Sequence, residues 1–362
     1  MKILHIIDNM SMGGAQALLV DLAPFQGQKG HKVDILQLIE SKDKTLTDKL
    51  CNSGVNVISL AKKGSVYNPL LTFKIIPYLR KYDIIHVHLF PALYWAGLAR
   101  ILSFSKTPLV YTEHSTYNKR RANPILFTID KFIYSNCYKE VIACSDKAFE
   151  TFKDVFPNMN ASTILNGVNI SKNVNAIPYS KKELINVGND AFVVTMIARF
   201  ASMKRQDTVV EAMSKLPSNF HAVFVGGDGG ELDNVKSVVA KLNVKNRIHF
   251  LGIRPDVPQI LKSSDVVIMA SDYEGLSLSS IEGMASGKPF IASNVNGLKE
   301  VVGGAGILYE NKNSEELANI LKKLYDDKTF YLDTINKCQK KAVQFDISVC
   351  SSAYLKVYAK YL

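Results

Sequence analysis

Residues 266–292, VVIMASDYEGLSLSSIEGMASGKPFIA, hold the strand–helix–strand signal that decides the fold. Val266–Ala270 and Pro289–Ala292 are short apolar runs of strand type, and Ser279–Met284 between them is a predicted helix. Ser277 or Ser279 can cap that helix, because a serine oxygen accepts hydrogen bonds from the free N–H groups of a first turn. Strands that alternate with helices are typical of βαβ units, so we predict a parallel sheet.

The same alternation extends along the whole chain and restarts once. The predicted strands of the first half are Ile3–Ile7, Val33–Leu38, Val55–Leu60, Ile84–Val87, Pro108–Thr112, Glu140–Cys144 and Ser162–Leu165. Three more precede the quoted stretch: Phe192–Ala198, His221–Val225 and Ile248–Leu251. Residues 166–179 lack periodicity and contain turn residues, which is typical of a linker. We therefore predict an α/β protein with two Rossmann-like domains, residues 1–172 and 173–345.

A last helix, at about residues 346–362, has an apolar stripe that needs burial. The stripe consists of Ala353, Leu355, Val357 and Tyr358. We predict that this helix crosses back to pack on the first domain.

Length and composition agree with two soluble domains. A chain of 362 residues fits two domains of about 150 residues or slightly more. No apolar stretch reaches the roughly 20 residues of a membrane span, and Met1–Asp8 is too short for a signal peptide. The five cysteines are odd in number and lack Cys-x-x-Cys spacing, which favours reduced thiols. We expect a cytoplasmic protein.

The net charge of +11 is concentrated in the first half, where residues 1–180 hold 21 Lys/Arg against 13 Asp/Glu. This excess favours a partner with phosphates: an anionic membrane surface, a lipid diphosphate or nucleic acid. Solubility alone is the alternative. Lys119–Arg121 precede an apolar-aromatic stretch, Ile125–Tyr134, and basic residues beside such a stretch suit an anionic bilayer. We therefore expect peripheral contact with the inner face of the cell membrane.

Several charged residues follow predicted strands, where ligands of open α/β sheets bind. Arg199 and Lys204 lie just beyond Phe192–Ala198 and could bind a phosphate, although solvated surface charges are the alternative. Glu274 follows Val266–Ala270, and Glu282 lies within the next helix. Carboxylates accept hydrogen bonds from sugar hydroxyls, and the start of this helix suits a diphosphate.

Glycines and histidines occupy other strand ends. Gly13 and Gly14 open a helix after the first strand, and Gly226–Gly230 do so in the second half; in both places a plain turn is the alternative. His114 ends one strand, and His86 and His88 end another. A histidine at a strand end can bind a ligand hydroxyl, but a structural role is the commoner one.

Taken together, these motifs resemble the retaining glycosyltransferases of family 4, which have the GT-B fold of two Rossmann-like domains facing each other across a cleft. The resemblance covers nearly the whole chain in the family's order. It consists of Gly13–Ala15, Asp83–His88, Thr112–His114, Asn166–Val168, Ala198–Phe200 with Lys204, Phe224–Gly230, Asp272–Glu282 and Ala285–Pro289. The chain departs from the family at Lys204–Gln206, where a small residue often follows the lysine, and at Gln16, where glutamate is commoner.

The resemblance implies roles for these residues. Arg199 and Lys204 would neutralise the donor diphosphate, and Glu282 would hold the ribose. Glu274 and His114 would hold the transferred sugar, and Gly14 would let the backbone approach the phosphates. Four further residues are predicted to bind the donor: Gly275, Leu276, Ser277 and Arg254. The first domain would bind the acceptor, and the second would bind the nucleotide sugar.

The implied function is transfer of a sugar from a nucleotide-diphosphate sugar to a glycan or polyprenyl-linked acceptor, with retention, in cell-surface polysaccharide synthesis. We expect a UDP-sugar rather than a GDP-sugar. No metal or cofactor is predicted, because Arg199 and Lys204 can take the place of a cation. Nucleic acid is not expected as a partner, since no known binding module is present. A nucleotide-sugar epimerase of the same fold and a non-enzymatic sugar-nucleotide binder remain alternatives.

Overall fold

The chain folds into two separate parallel sheets. The structure is a computed structural model that describes residues 1–114 and 118–362, without the side chain of Lys119. The chain divides into one unit of residues 1–167 and 347–362 and a second unit of residues 168–346. Each unit has its own hydrophobic core.

The N-terminal unit contains a seven-stranded sheet. Its strands are β1 Lys2–Ile7, β2 Lys32–Ile39, β3 Asn56–Ala61, β4 Ile84–His88, β5 Leu109–Glu113, β6 Glu140–Ala143 and β7 Ala161–Thr163. The strands pair in parallel in the order β3-β2-β1-β4-β5-β6-β7. Because the chain runs outward from β1 in both directions, the loops after β1 and β4 diverge and leave a crevice at the carboxyl ends of these strands.

The second unit repeats this architecture with six strands. They are β8 Phe192–Ile197, β9 Phe220–Val225, β10 Ile248–Phe250, β11 Val266–Met269, β12 Phe290–Ser293 and β13 Ile307–Tyr309. Their order is β10-β9-β8-β11-β12-β13, so the corresponding crevice lies at the carboxyl ends of β8 and β11. The predicted pair of Rossmann-like domains is confirmed. The edge strand β13 was not predicted, because three residues among glycines carry no readable period.

Helices connect the strands in both units. Those of the N-terminal unit are α1 Gly14–Gln28, α2 Thr45–Asn52, α3 Leu71–Leu79, α4 Ala92–Ser103, α5 Pro124–Cys137 and α6 Asp146–Val155. Those of the second unit are α7 Ile170–Val174, α8 Lys181–Ile185, α9 Gln206–Ser214, α10 Leu232–Lys241, α11 Val257–Ser263, α12 Leu278–Ala285, α13 Leu298–Val302, α14 Ser314–Asp326 and α15 Lys328–Ala342. Within the described residues, no helix is both long and apolar enough to cross a bilayer.

The last helix, α16 Ile347–Ala359, belongs to the N-terminal unit and packs beside α1, so the predicted crossing back is confirmed. Its fully buried residues are Ile347, Cys350, Ser351, Tyr354, Val357 and Tyr358. Ala353 and Leu355 of the predicted stripe are only half-buried. The two tyrosines reach the sheet, where the Tyr358 hydroxyl lies 2.6 Å from Nδ1 of His86 in β4.

We expect Tyr358→Phe to lower the free energy of unfolding by about 1–3 kcal/mol, because the fully buried His86 ring would lose a hydrogen-bond partner. Urea unfolding followed by circular dichroism measures the loss. Tyr325→Phe is the matched control, since that side chain is 49% exposed and should lose less than about 0.5 kcal/mol. Equal losses in the two variants would contradict a stabilising contact between α16 and the sheet.

Candidate active site

The loops that follow β8 and β9 are hydrogen-bonded to each other at the carboxyl ends of these two strands. The backbone N–H of Phe200 donates to the carbonyl of Gly227 at 2.9 Å, and the Phe200 ring is buried. Gly226 has a φ of 157°, and a Cβ there would collide with the Ala198 carbonyl. A glycine is therefore required for the two loops to approach this closely.

Arg199 lies in the loop after β8, and its side chain is exposed. Among residues 1–114 and 118–362 it has no acidic partner. Gly229 lies against it, since a Cβ on Gly229 would contact the Arg199 side chain at 3.1 Å. The guanidinium is therefore available to an anion, whose oxygens it could bind with two parallel hydrogen bonds.

Lys204 and Glu274 form an ion pair across the crevice between β8 and β11, with Nζ 2.5 Å from Oε1. The Ser271 hydroxyl donates to the same oxygen at 2.6 Å. The two side chains are only 20% and 11% exposed, so each charge is held in place by the other. The structure brings together two residues that lie 70 positions apart in the sequence.

Backbone contacts hold together the two loops that carry Lys204 and Glu274. The Asp272 N–H donates to the Met203 carbonyl at 2.7 Å, which joins the loop after β11 to the loop after β8. Gly297 has a φ of 87°, and a Cβ there would collide with the Glu274 carbonyl. Sequence reasoning did not include Ser271 or Gly297 in the site, although Asn296-Gly297 is a recognisable turn signal.

Helix α12 starts at the same crevice. Ser277 caps it by accepting from the Ser280 N–H at 3.3 Å, and Gly275 has open space where a Cβ would be. Leu276 packs against the core and anchors this short turn. Glu282 is half-buried within the helix. The turn of residues 275–277 and the start of α12 thus lie beside the Lys204–Glu274 pair, and the role of this turn in donor binding stays a prediction.

Arg254 is engaged differently from Arg199. Its Nε and Nη2 bind the two oxygens of Asp256 at 2.8 and 2.5 Å, and the Tyr179 hydroxyl donates to Asp256 at 2.8 Å. The guanidinium hydrogen bond lowers the pKa of Asp256 to about 2. Because Arg254 already has a carboxylate partner, its role in donor binding stays a prediction.

In the N-terminal unit, Gly14 begins α1, and a Cβ built on it meets no atom within 4 Å. Gln16 fixes the preceding loop, because its amide nitrogen donates to the Asn9 carbonyl at 3.1 Å and to Asp8 Oδ1 at 3.4 Å. A glutamate could not donate these bonds, which gives the departure at Gln16 a structural reason.

His114 follows β5 and is half-buried. Its Nε2 lies 3.1 Å from Nδ1 of His88, whose Nε2 lies 3.0 Å from Nδ1 of His5. Burial lowers the pKa of His114 and of His5 to about 4 and places that of His88 well below its usual range. These rings are therefore neutral at physiological pH.

Three imidazoles in this region, those of His5, His86 and His88, have ring nitrogens within 4.8 Å of one another, a spacing that could suit a metal ion. Each of their ring nitrogens already has a partner within the protein: Gln26, His114, Tyr358 or Thr112, besides the His5–His88 contact. A metal would have to displace these bonds, so the arrangement is that of a hydrogen-bonded network.

The expectation that a basic triplet faces a membrane is wrong for Arg120 and Arg121. The Arg121 guanidinium binds Glu113 at 2.7 Å, and that of Arg120 lies 3.9 Å from the centre of the Phe90 ring and 3.6 Å from Asp130. Both arginines turn inward because two buried carboxylates require counter-charges. The Lys119 side chain and residues 115–117 lie outside the described part of the chain.

Comparison with known proteins places these features in a family. Residues 12–172 match the family model described as Glycosyltransferase Family 4, and residues 180–344 match Glycosyl transferases group 1. The Escherichia coli UDP-Gal:alpha-D-GlcNAc-diphosphoundecaprenol alpha-1,3-galactosyltransferase is 28% identical, over 94% of this chain and 92% of that protein. A Campylobacter jejuni N,N'-diacetylbacillosaminyl-diphospho-undecaprenol alpha-1,3-N-acetylgalactosaminyltransferase is 24% identical, over 96% of this chain and 97% of that protein.

Solved structures agree on the fold. The Anabaena protein HepE, crystallised with UDP and glucose, has a TM-score of 0.84 at 24% identity, covering 99% of this chain and 100% of that one. The matched families and relatives are transferases, which favours this class over the epimerase and binder alternatives. With both units matched and relatives along nearly its whole length, the chain belongs to the family 4 glycosyltransferases of GT-B fold.

Proposed function

We propose that this glycosyltransferase moves a hexose from a UDP-sugar to a polyprenyl-diphosphate-linked glycan, with retention of configuration, in cell-surface polysaccharide synthesis. The observation that carries the proposal is the group of Arg199, Lys204 and Glu274 at the carboxyl ends of β8 and β11. Two cations and one carboxylate are the groups that a sugar diphosphate needs. The second unit would bind the donor, and the N-terminal unit would bind the acceptor.

Arg199 and Lys204 would neutralise the diphosphate as the bond to the anomeric carbon breaks. Charge develops on the leaving phosphate, and cations fixed in advance stabilise it without reorganisation. Lys204 is already oriented by Glu274, and the exposed Arg199, which follows the same strand, would bind the phosphate beside it. Glu282, half-buried in α12, would hold the ribose.

Glu274 and His114 would hold the transferred sugar by its hydroxyl groups, and Gly14 would let the start of α1 approach the phosphates. With retention, the acceptor oxygen would attack on the face that the phosphate leaves. The electron pair of the breaking C–O bond would go to the phosphate, which would take the proton of the acceptor hydroxyl.

The relatives support the choice of substrates. HepE was crystallised with UDP and with UDP-glucose, and the name of the E. coli relative specifies UDP-Gal. That relative and the C. jejuni one are both named for sugars linked to diphosphoundecaprenol. We therefore propose a UDP-sugar in preference to a GDP-sugar, and a lipid diphosphate in the acceptor.

A lipid-linked acceptor requires access to a membrane, and the N-terminal unit has a surface suited to one. Its neighbouring helices α3, α4 and α5 and their ends expose large apolar side chains, with Phe104 at 88% and Ile125 at 71% exposure. The others are Leu70, Phe73, Ile101, Leu102, Ile129 and Phe132. Residues 69–137 hold nine Lys/Arg and three Asp/Glu, of which Glu113 and Asp130 are buried. Apolar groups among cations suit the inner face of an anionic cell membrane.

We expect Arg199→Ala and Lys204→Ala each to lower kcat/KM for a UDP-sugar by one to two powers of ten, because each removes a charge-assisted contact of about 1.5–3 kcal/mol. Steady-state kinetics with UDP- and GDP-sugars measures this, and calorimetry gives the Kd of UDP. Lys241→Ala is the control, an exposed lysine of the same unit. Unchanged rates in folded variants would refute the assignment, and turnover of GDP-sugars alone would refute the choice of donor.

Activity should survive EDTA, because Arg199 and Lys204 supply the positive charge that a divalent ion would otherwise bring to the diphosphate. Initial rates are compared before and after chelation and gel filtration. Loss of activity that magnesium or manganese restores would show that the two cations do not suffice.

Binding to anionic vesicles should depend on cations of α3 to α5. Lys74, Lys106 and Lys131 are exposed, and changing all three to Ala should weaken binding by about two powers of ten, since each is worth about 1 kcal/mol. Vesicle sedimentation at low and high salt measures the affinity of each variant for the vesicles. The control carries the same charge change in the second unit, at Lys241, Lys245 and Lys340, and should bind as the native protein does. If the native protein sedimented to the same extent with neutral and with anionic vesicles, the proposed membrane contact would be contradicted.

A further inference from the structure

A chain of buried hydrogen bonds crosses the N-terminal sheet and ends at His114. It starts at Gln26 in α1, whose Oε1 lies 2.9 Å from Nε2 of His5 in β1. It continues from His5 to His88 at the end of β4, at 3.0 Å, and from His88 to His114 after β5, at 3.1 Å. Gln26, His5 and His88 are fully buried, and the contact between His88 and His114 is partly buried.

Each imidazole in this chain is neutral, since burial lowers the pKa of His5, His88 and His114. A neutral imidazole has one N–H donor and one acceptor nitrogen. The tautomer of one ring therefore dictates the tautomer of the next, and the group at the start of the chain sets them all.

The amide oxygen of Gln26 can only accept, so it requires a proton on Nε2 of His5. Nδ1 of His5 is then an acceptor, and His88 must donate to it from Nε2. Nδ1 of His88 accepts in turn from Nε2 of His114. The proton of His114 thus lies on Nε2, and its Nδ1 keeps the lone pair. Among residues 1–114 and 118–362, that Nδ1 has no hydrogen-bond partner.

We propose that Gln26, His5 and His88 are positioning residues that fix the tautomer of His114, so that its Nδ1 accepts a hydrogen bond from a hydroxyl of the transferred sugar. The inference rests on the proposed contact of His114 with that sugar. None of the three residues needs to touch the substrate. They act by deciding whether His114 offers a lone pair or an N–H to the site.

The neighbouring His86 provides an internal reference. Its ring is tilted by 38° against that of His88, with centroids 4.0 Å apart, but its nitrogens bond to Tyr358 and Thr112 rather than to the chain. A change at His5 that acts through hydrogen bonds should alter His88 and His114 and leave the His86 tautomer unchanged. A general disturbance of the core would alter all three.

The test uses the full chain with ¹⁵N-labelled histidine rings, and long-range ¹H–¹⁵N spectra assign the tautomer of each of the seven histidines. We expect His114 to be the Nε2–H tautomer in the native protein. His5→Leu removes the acceptor for His88, whose N–H would otherwise be buried without a partner, so His88 and His114 should both change to Nδ1–H. His5→Asn keeps an oxygen near the position of Nδ1 and should preserve the native tautomers.

Turnover should follow the tautomer. We expect kcat with a UDP-sugar to fall roughly tenfold in His5→Leu, since the sugar hydroxyl would have to accept from His114 Nδ1 instead of donating to it, and to recover in His5→Asn. The Kd of UDP should not change, because UDP alone lacks the sugar. Gln26→Met, which also removes the terminal acceptor, serves as a second variant if His5→Leu does not fold.

A native His114 with its proton on Nδ1, or a His114 tautomer that neither variant alters, would overturn the inference. A changed tautomer with unchanged kcat would overturn its link to the sugar. The spectra need no substrate, so a failure of the proposed donor would leave the tautomer result standing and would be recognised by the absence of turnover in the native enzyme.

Discussion

Both units depend on one topological constraint, a parallel sheet whose chain runs outward from its first strand in two directions. The loops after β1 and β4, and after β8 and β11, must therefore diverge to opposite faces of their sheets. The crevice that results is lined by backbone groups at helix starts and by side chains just past strand ends. Most of the residues that we assign to donor or sugar binding lie at one of these two crevices. His114 follows the neighbouring strand β5, and Arg254 follows β10.

Within the second unit, charge pairing and close backbone contacts join the loops that line the crevice. Lys204 and Glu274 satisfy each other, and the Asp272 N–H joins their two loops. Gly226 and Gly297 permit approaches that a Cβ would forbid. Folding orders these groups, and Arg199 beside them stays without an acidic partner among residues 1–114 and 118–362. Such preorganisation is what stabilises a departing phosphate in a transition state.

The N-terminal unit uses buried polar groups in another way. Its sheet carries histidines where apolar residues would be usual, and their hydrogen bonds are completed by elements distant in sequence: Gln26 from α1 and Tyr358 from α16. The last helix therefore completes the polar layer of this unit as well as its apolar packing. An unpartnered polar group is costly at this depth, so the return of the chain to the first unit stabilises the sheet.

The sequence by itself determined the two Rossmann-like domains and most strands to within a residue or two, because long β-branched runs alternate with helical periods. It also placed Arg199, Glu274 and His114 at strand ends, since strand-end positions are readable in order along the chain. Only the tertiary structure decided the partners: Lys204 with Glu274, Arg254 with Asp256, Arg120 and Arg121 with buried carboxylates, and the histidine chain with Gln26. The physical reason is that side chains on different strands and loops become neighbours through the order of the strands and through burial. The spacing of residues along the chain predicts neither the strand order nor the burial.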